Sequence, residues 1–197
     1  MTNANRLTAI EADADVQRAR MLIADMIEDS GNFRPEWIAG RDWTVVPVQS
    51  ADHFGKKDIE HLAAAFRITG YGEFLAVATE PLENTPVCYK VPTTEDGLRE
   101  LNEAIRDFYF ILLPEDRSWA VVCTKDDYYL VGGPLPFVLL ALKTPIAQAR
   151  ADFLGFAENT RHPKMRSGLI GVATRYEGTG PSGLSGASFR QSLLPPS

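Results

Sequence analysis

Residues 109–134 read YFILLPEDRSWAVVCTKDDYYLVGGP: three apolar, β-prone runs separated by two turns of a few polar residues. This stretch restricts the fold more than any other. Parallel neighbours need a crossover of a dozen residues or more, so strands this close in the chain pair in hairpins. YFILL, apolar throughout, reads as a central strand covered on both faces. PEDR is a turn, and Lys125, Asp126 and Asp127 form the polar tip between SWAVVCT and YYLVG.

Two-residue alternation places Trp119, Val121 and Cys123 on one face of their strand, and Ala120, Val122 and Thr124 on the other. Both faces are mostly apolar, which makes Cys123 a core thiol. Gly132 and Gly133 ahead of Pro134 suggest a tight turn from strand into helix. They do not make a phosphate cradle, because GxxxxGK[ST] and GxGxxG are absent and Pro134 and Pro136 remove backbone donors.

Upstream, RLTAIEADADVQRARMLIADMIEDSG predicts a long amphipathic helix, with Thr8 and Glu11 at capping-box spacing and Gly31 as its stop. RDWTVVPVQS predicts a strand, and Pro47 assigns it to an edge or a bulge. In DHFGKKDIEHLAAAFRITGYG, Ile59, Leu62, Ala63 and Phe66 fall on one helical face. FLAVATE and PVCYKVP then form a hairpin through PLENT. Thr93 or Thr94 caps a helix whose Leu98, Leu101, Ile105 and Phe108 form its apolar stripe. After the glycines, PLPFVLLALK and TPIAQARADFLGFAE read as helices, the second with Pro145 at its first position.

This order predicts an α+β fold: a single domain over residues 1–160, with a mixed or largely antiparallel sheet of about five to six strands packed against helices. Residues 161–197 read as a basic, Gly/Ser-rich and mostly flexible tail, within which LIGVATRY could add a marginal strand.

Charge divides the same way. Residues 1–160 carry 15 basic and 25 acidic side chains, a net charge of −10, whereas residues 161–197 carry +4. An acidic body repels a phosphate backbone, so duplex nucleic acid is disfavoured as a partner and a basic protein partner is favoured. No apolar run reaches the roughly 20 residues that span a bilayer. The polar, acidic N-terminus does not resemble a secretion signal, so a cytoplasmic location is expected, with Cys88 and Cys123 as thiols.

The remaining chemistry-bearing residues point to no cofactor and no metal site. Asp126 and Asp127 alone are too few oxygens for a hard cation. His53, His61 and His162 lack zinc-ligand spacing; His61 and Asp58 read as neighbours on a solvated helix face. No GxSxG elbow accompanies the serines, and the SGLSG stretch lies in the tail. Glu100 with Glu103, and Glu115 with Asp116, read as exposed helix and turn carboxylates. Trp37, Trp43, Tyr71, Tyr128 and Tyr129 lie near acids, and such aromatics recur in interfaces.

Asp126, Asp127, Tyr128 and Tyr129 are therefore the candidate interaction surface, with no catalytic residue assigned. The leading expectation is a non-enzymatic protein-interaction module. Small size and an acidic body without a catalytic signature are also attributes of bacterial inhibitor or immunity proteins. The alternative expectation is a small-molecule-binding protein or hydrolase with a pocket near residues 128–133.

Overall fold

The computed structural model describes residues 6–80, 85–105 and 109–180. Seven strands make one sheet: β1 (Thr8–Ala9), β2 (Thr44–Gln49), β3 (Glu73–Ala78), β4 (Cys88–Pro92), β5 (Phe110–Leu113), β6 (Ala120–Cys123) and β7 (Tyr128–Gly133). The helices among the described residues are α1 (Asp13–Ala24), α2 (Pro35–Ala39), α3 (Lys56–Ile68), α4 (Glu95–Ala104), α5 (Leu135–Leu142), α6 (Ile146–Asn159) and α7 (Pro163–Tyr176). The strand order is β1-β4-β3-β5-β6-β7-β2, and every pairing is antiparallel. The fold is thus the expected α+β single domain, with one strand more than expected.

The hairpin stretch forms the middle of this sheet. β5 lies fourth of the seven strands, and all four of its residues are buried. Pro47 sits in the edge strand β2, where a missing donor costs the ladder little. The expected stripes also pack as read. Ile59, Leu62, Ala63 and Phe66 of α3 are buried, as are Leu98 and Leu101 of α4, whose Thr94 hydroxyl accepts the Gly97 N–H at 3.0 Å. Phe108 and residues 81–84 of the PLENT loop lie outside the described residues.

Helices cover both sides of the sheet, giving two separate cores. α3, α4 and α5 pack on one face with Trp119, Val121, Cys123, Tyr129 and Val131. α1, α2 and α7 pack on the other with Ala120, Val122, Tyr128 and Leu130. α6 passes beside β2 and joins the two: its Ile146 and Ala149 pack on the first core, its Phe153 and Ala157 in the second.

Four local expectations are corrected. Thr8 does not cap a helix: Thr8 and Ala9 pair with Lys90 and Tyr89 as β1, Ile10 donates to Cys88 C=O at 2.8 Å, and α1 starts only at Asp13. Pairing with the open side of β4 outweighs a local cap. Gly132 and Gly133 do not form a turn but end β7, opposite Val45 and Thr44. A Cβ on Gly132 would lie 2.8 Å from the Phe33 ring, and one on Gly133 would lie 3.0 Å from Phe137 and 3.1 Å from Trp119 Cβ, so the glycines let aromatic rings close over both faces.

LIGVATRY is not a strand but the second half of α7, with Leu169 and Tyr176 buried in the second core. Residues 163–180 are accordingly part of the fold, contrary to the expected boundary at 160; the Gly/Ser-rich residues from 181 onward lie outside the described residues. Finally, α2 between the first helix and β2 was not anticipated, because five residues carry too little periodicity to register. No helix among the described residues is long and apolar enough to cross a membrane.

Candidate functional site

The four residues of the expected surface separate in space. Asp126 and Asp127 are exposed at the β6–β7 turn, whereas Tyr128 and Tyr129 are 3% and 2% exposed and point into opposite cores. Successive strand residues must face opposite sides, so the two tyrosines could not both join the acids at a surface. Tyr128 meets Phe153 edge-on at 5.6 Å between centroids, and burial raises its phenol to about 12. Trp37 and Trp43 are likewise buried, while Tyr71 is half-exposed and donates to Asp116.

Around the turn, the structure builds a cleft of about 350 Å³ from three walls. The first wall is the turn itself. Thr124 folds it back, its N–H and hydroxyl both donating to Tyr128 C=O at 3.2 and 2.7 Å. Asp127 takes a left-handed φ of 59°, a conformation aspartate tolerates better than most side chains, and its C=O accepts the Ser50 N–H at 2.9 Å.

The second wall is the loop after α1. Ile27 and Phe33 bridge, Glu28 N–H donates to Asn32 C=O at 2.8 Å, and Gly31 turns the chain at φ 76°. α7 anchors this loop from a distance in sequence. Tyr176 Oη accepts the Phe33 N–H at 3.0 Å and donates to Asn32 Oδ1 at 3.2 Å, while Arg175 donates to Glu28 Oε1 at 2.5 Å and to Phe33 C=O at 3.1 Å. The hydrogen bond from Arg175, with its charge, holds the Glu28 carboxyl below its ordinary value against the opposing effect of burial.

The third wall comes from the ends of two sheet strands. Thr79 N–H donates to Tyr109 C=O at 2.9 Å, next to Glu80, which Lys125 reaches at 3.6 Å. Lys125 Nζ also lies 5.9 Å from the Tyr109 ring centroid.

Four carboxylates line the cleft, those of Glu28, Asp29, Glu80 and Asp126, against the cations Arg34 and Lys125. Glu28 and Glu80 are engaged by Arg175 and Lys125, whereas the exposed Asp29 and Asp126 have no ion pair among the described residues. Ile23, Ala24, Ile27 and the Tyr109 ring supply the apolar lining. Sequence reasoning identified Asp126 through its turn, but missed Glu28, Asp29 and Glu80, which come from other parts of the chain. Runs of turn residues at 28–32 were the one available signal.

A smaller cleft of about 230 Å³ lies on the opposite side of β7, beside Tyr129. Asp58 in the first turn of α3 accepts the Gly55 N–H at 2.9 Å and the Tyr129 hydroxyl at 2.9 Å. Burial, then the Asp58 charge, raises the Tyr129 phenol well above its usual range. His61 follows one turn later. Instead of a plain solvated face, Asp58 and His61 line this cleft together with Gln49, Thr144 and Asp152.

Neither cysteine offers a reactive thiolate. Cys88 and Cys123 are buried free thiols; desolvation raises Cys88 to about 11 and Cys123 well above its ordinary value. Among the described residues, no three His, Cys, Asp or Glu side chains gather to hold a metal ion. Compared with known proteins, the chain matches no family model, no curated protein and no solved structure.

Proposed function

We propose that this protein is a non-enzymatic interaction module that takes a basic segment of a partner protein into the cleft at the β6–β7 turn. The observation that carries this reading is a pair of exposed carboxylates, Asp29 and Asp126, that have no ion pair among the described residues and line a cleft together with Ile23, Ile27 and Tyr109. A lysine or arginine side chain buries its alkyl stem on apolar surface and keeps its charged head wet, and Ile27 and Tyr109 flanked by acids suit both requirements. The net charge of −6 over the whole chain adds long-range attraction for such a partner and repulsion of nucleic acid. An inhibitor-like or immunity-like role in the cytoplasm would fit this chemistry, since buried thiols suit a reducing compartment.

Titration with fluorescent lysine-rich, arginine-rich and glutamate-rich peptides of equal length tests the reading. Basic peptides should bind and weaken steeply as salt rises, while the acidic one should not bind. Replacing Asp29 and Asp126 by asparagine removes two exposed charges worth about 0.5–1 kcal/mol each, so binding should weaken roughly 5- to 30-fold. Equal binding of acidic and basic peptides, or an affinity unmoved by the double substitution, would overturn it.

A further inference from the structure

The smaller cleft differs from the first in one respect that decides its chemistry: among the described residues, no lysine or arginine lines it. Its charged lining consists of the carboxylates of Asp58 and Asp152, with Gln49, His61 and Thr144 beside them. Asp58 spends one acceptor position of each oxygen on Gly55 and Tyr129, and Asp152 accepts from Gln148 Nε2 at 2.7 Å. A carboxylate offers about four acceptor positions, so both keep free ones.

The edge strand adds more acceptors. Ser50 N–H donates to Asp127 C=O, and Tyr128 C=O is taken by Thr124 of the neighbouring strand, so even-numbered residues of β2 face β7 and odd-numbered ones face outward. Val45 is the first outward residue, and it is closed off: its N–H donates to Thr179 Oγ1 at 2.9 Å, and its C=O accepts from Thr179 Oγ1 and from Arg150 at 3.1 and 3.3 Å. Pro47 has no N–H to offer. The next outward carbonyls, of Pro47 and Gln49, belong to residues that line the cleft. The outward carbonyls of Pro47 and Gln49, the outward Gln49 N–H and two carboxylates therefore belong to residues that line one cavity, in which acceptors outnumber donors, beside the apolar side chains of Leu142, Ala149 and Phe153.

We infer that this cleft binds a small organic amine, its ammonium donating to Asp58, Asp152 and the outward strand carbonyls while its body lies on Leu142, Ala149 and Phe153. An ammonium has three donors and a positive charge, which complements two carboxylates and two outward carbonyls. Size sets the rest of the ligand. A cavity of about 150 Å³ accepts benzene, so about 230 Å³ suits a body of roughly ten non-hydrogen atoms. This assignment is independent of the basic-peptide surface, which lies on the other side of β7.

Calorimetry and thermal shift with benzylamine, and with benzyl alcohol and benzoate as neutral and anionic counterparts, test it on the full chain. Benzylamine should bind and raise Tm in proportion to its concentration; the other two should not. Asp152→Asn changes an exposed side chain outside both cores and should weaken benzylamine at least fivefold with the unliganded Tm unchanged. Asp126→Asn at the other cleft should leave benzylamine affinity unchanged, which separates this inference from the peptide-binding one. Absence of benzylamine binding at millimolar concentration, equal binding of benzyl alcohol, or insensitivity to Asp152→Asn would overturn it.

Discussion

The two faces of the sheet are closed in different ways. On the first, α3, α4 and α5 are each amphipathic or apolar, and each lies close in sequence to a strand it covers. Its centre is an aromatic stack: Phe66 lies 4.4 Å from Trp119 and Trp119 lies 5.1 Å from Phe137, near-parallel in both cases. The second face is closed by α1 and α2 from the first part of the chain and α7 from the last described part, and it is tied together by polar groups. Tyr176 and Arg175 bind the loop at residues 28–33, more than 140 positions earlier in sequence. Both cores carry hydrogen bonds between distant residues, Tyr129 to Asp58 and Asn102 to Phe54 in the first, but only in the second do such bonds tie an early loop to the last described helix. The larger cleft is built on the second, so its geometry depends on those bonds.

The largest expected effect tests the first core. Trp119→Ala should cost about 3–5 kcal/mol, as other buried large-to-alanine changes do, and urea unfolding measures it. Trp119→Phe should cost much less, because the indole N–H is buried without a partner and phenylalanine removes it. If both variants lose the same stability, the stack is not what holds this face.

Gly132→Ala probes the second core by overfilling it. Its Cβ would press on the Phe33 ring 2.8 Å away, with Trp43 behind at 3.2 Å, and should cost about 2–3 kcal/mol. Tyr176→Phe comes next. It keeps the ring but leaves the buried Phe33 N–H without an acceptor, a loss of about 1–2 kcal/mol. Hydrogen exchange should then accelerate in α1, α2 and α7 while α3, α4 and α5 stay protected. Uniform acceleration would mean that the two cores open as one unit.

Glu28→Gln should give the smallest effect, visible mainly in its pH dependence. Glu28 has its carboxyl pKa lowered in the fold from an ordinary value of 4.5, chiefly by the Arg175 hydrogen bond. A group with a depressed folded pKa contributes stability above its unfolded pKa and loses it as pH falls through the folded one. The native protein should therefore lose its advantage over Glu28→Gln as pH drops below 4.5, and the two unfolding midpoints should converge. A constant difference across that range would remove the Arg175 tie from the account of the second core.

The same division governs how much could be read in advance. α3 and α4 were legible because three- and four-residue spacing of Ile59, Leu62, Ala63 and Phe66, or of Leu98, Leu101 and Ile105, is a local property. The hairpins from β5 to β7 were legible because turns too short for a crossover leave one way to pair. α7 was read as mostly flexible tail with at most a marginal strand because LIGVATRY has no clear period, and only docking of Leu169 and Tyr176 against residues far upstream decides it. In the site, Asp126 was visible from its turn. Glu28, Asp29 and Glu80 were not, since adjacency across the end of a sheet has no signature along the chain.

By itself, then, the sequence determined the antiparallel centre of the sheet, the restriction of Pro47 to an edge or a bulge, the helices of the first core and the inert, buried character of Cys123. These follow from local sterics, from the alternation of side chains along a strand and from the missing donor of proline. Only the tertiary structure decided that β1 would add to the sheet in place of a helix cap, that α7 would close the second core and that helices would cover both faces of β7, burying Tyr128 as well as Tyr129. It also decided which acids would share a cleft. Each of those outcomes rests on contacts between residues distant in sequence, whose free energy outweighs local preference once those elements meet.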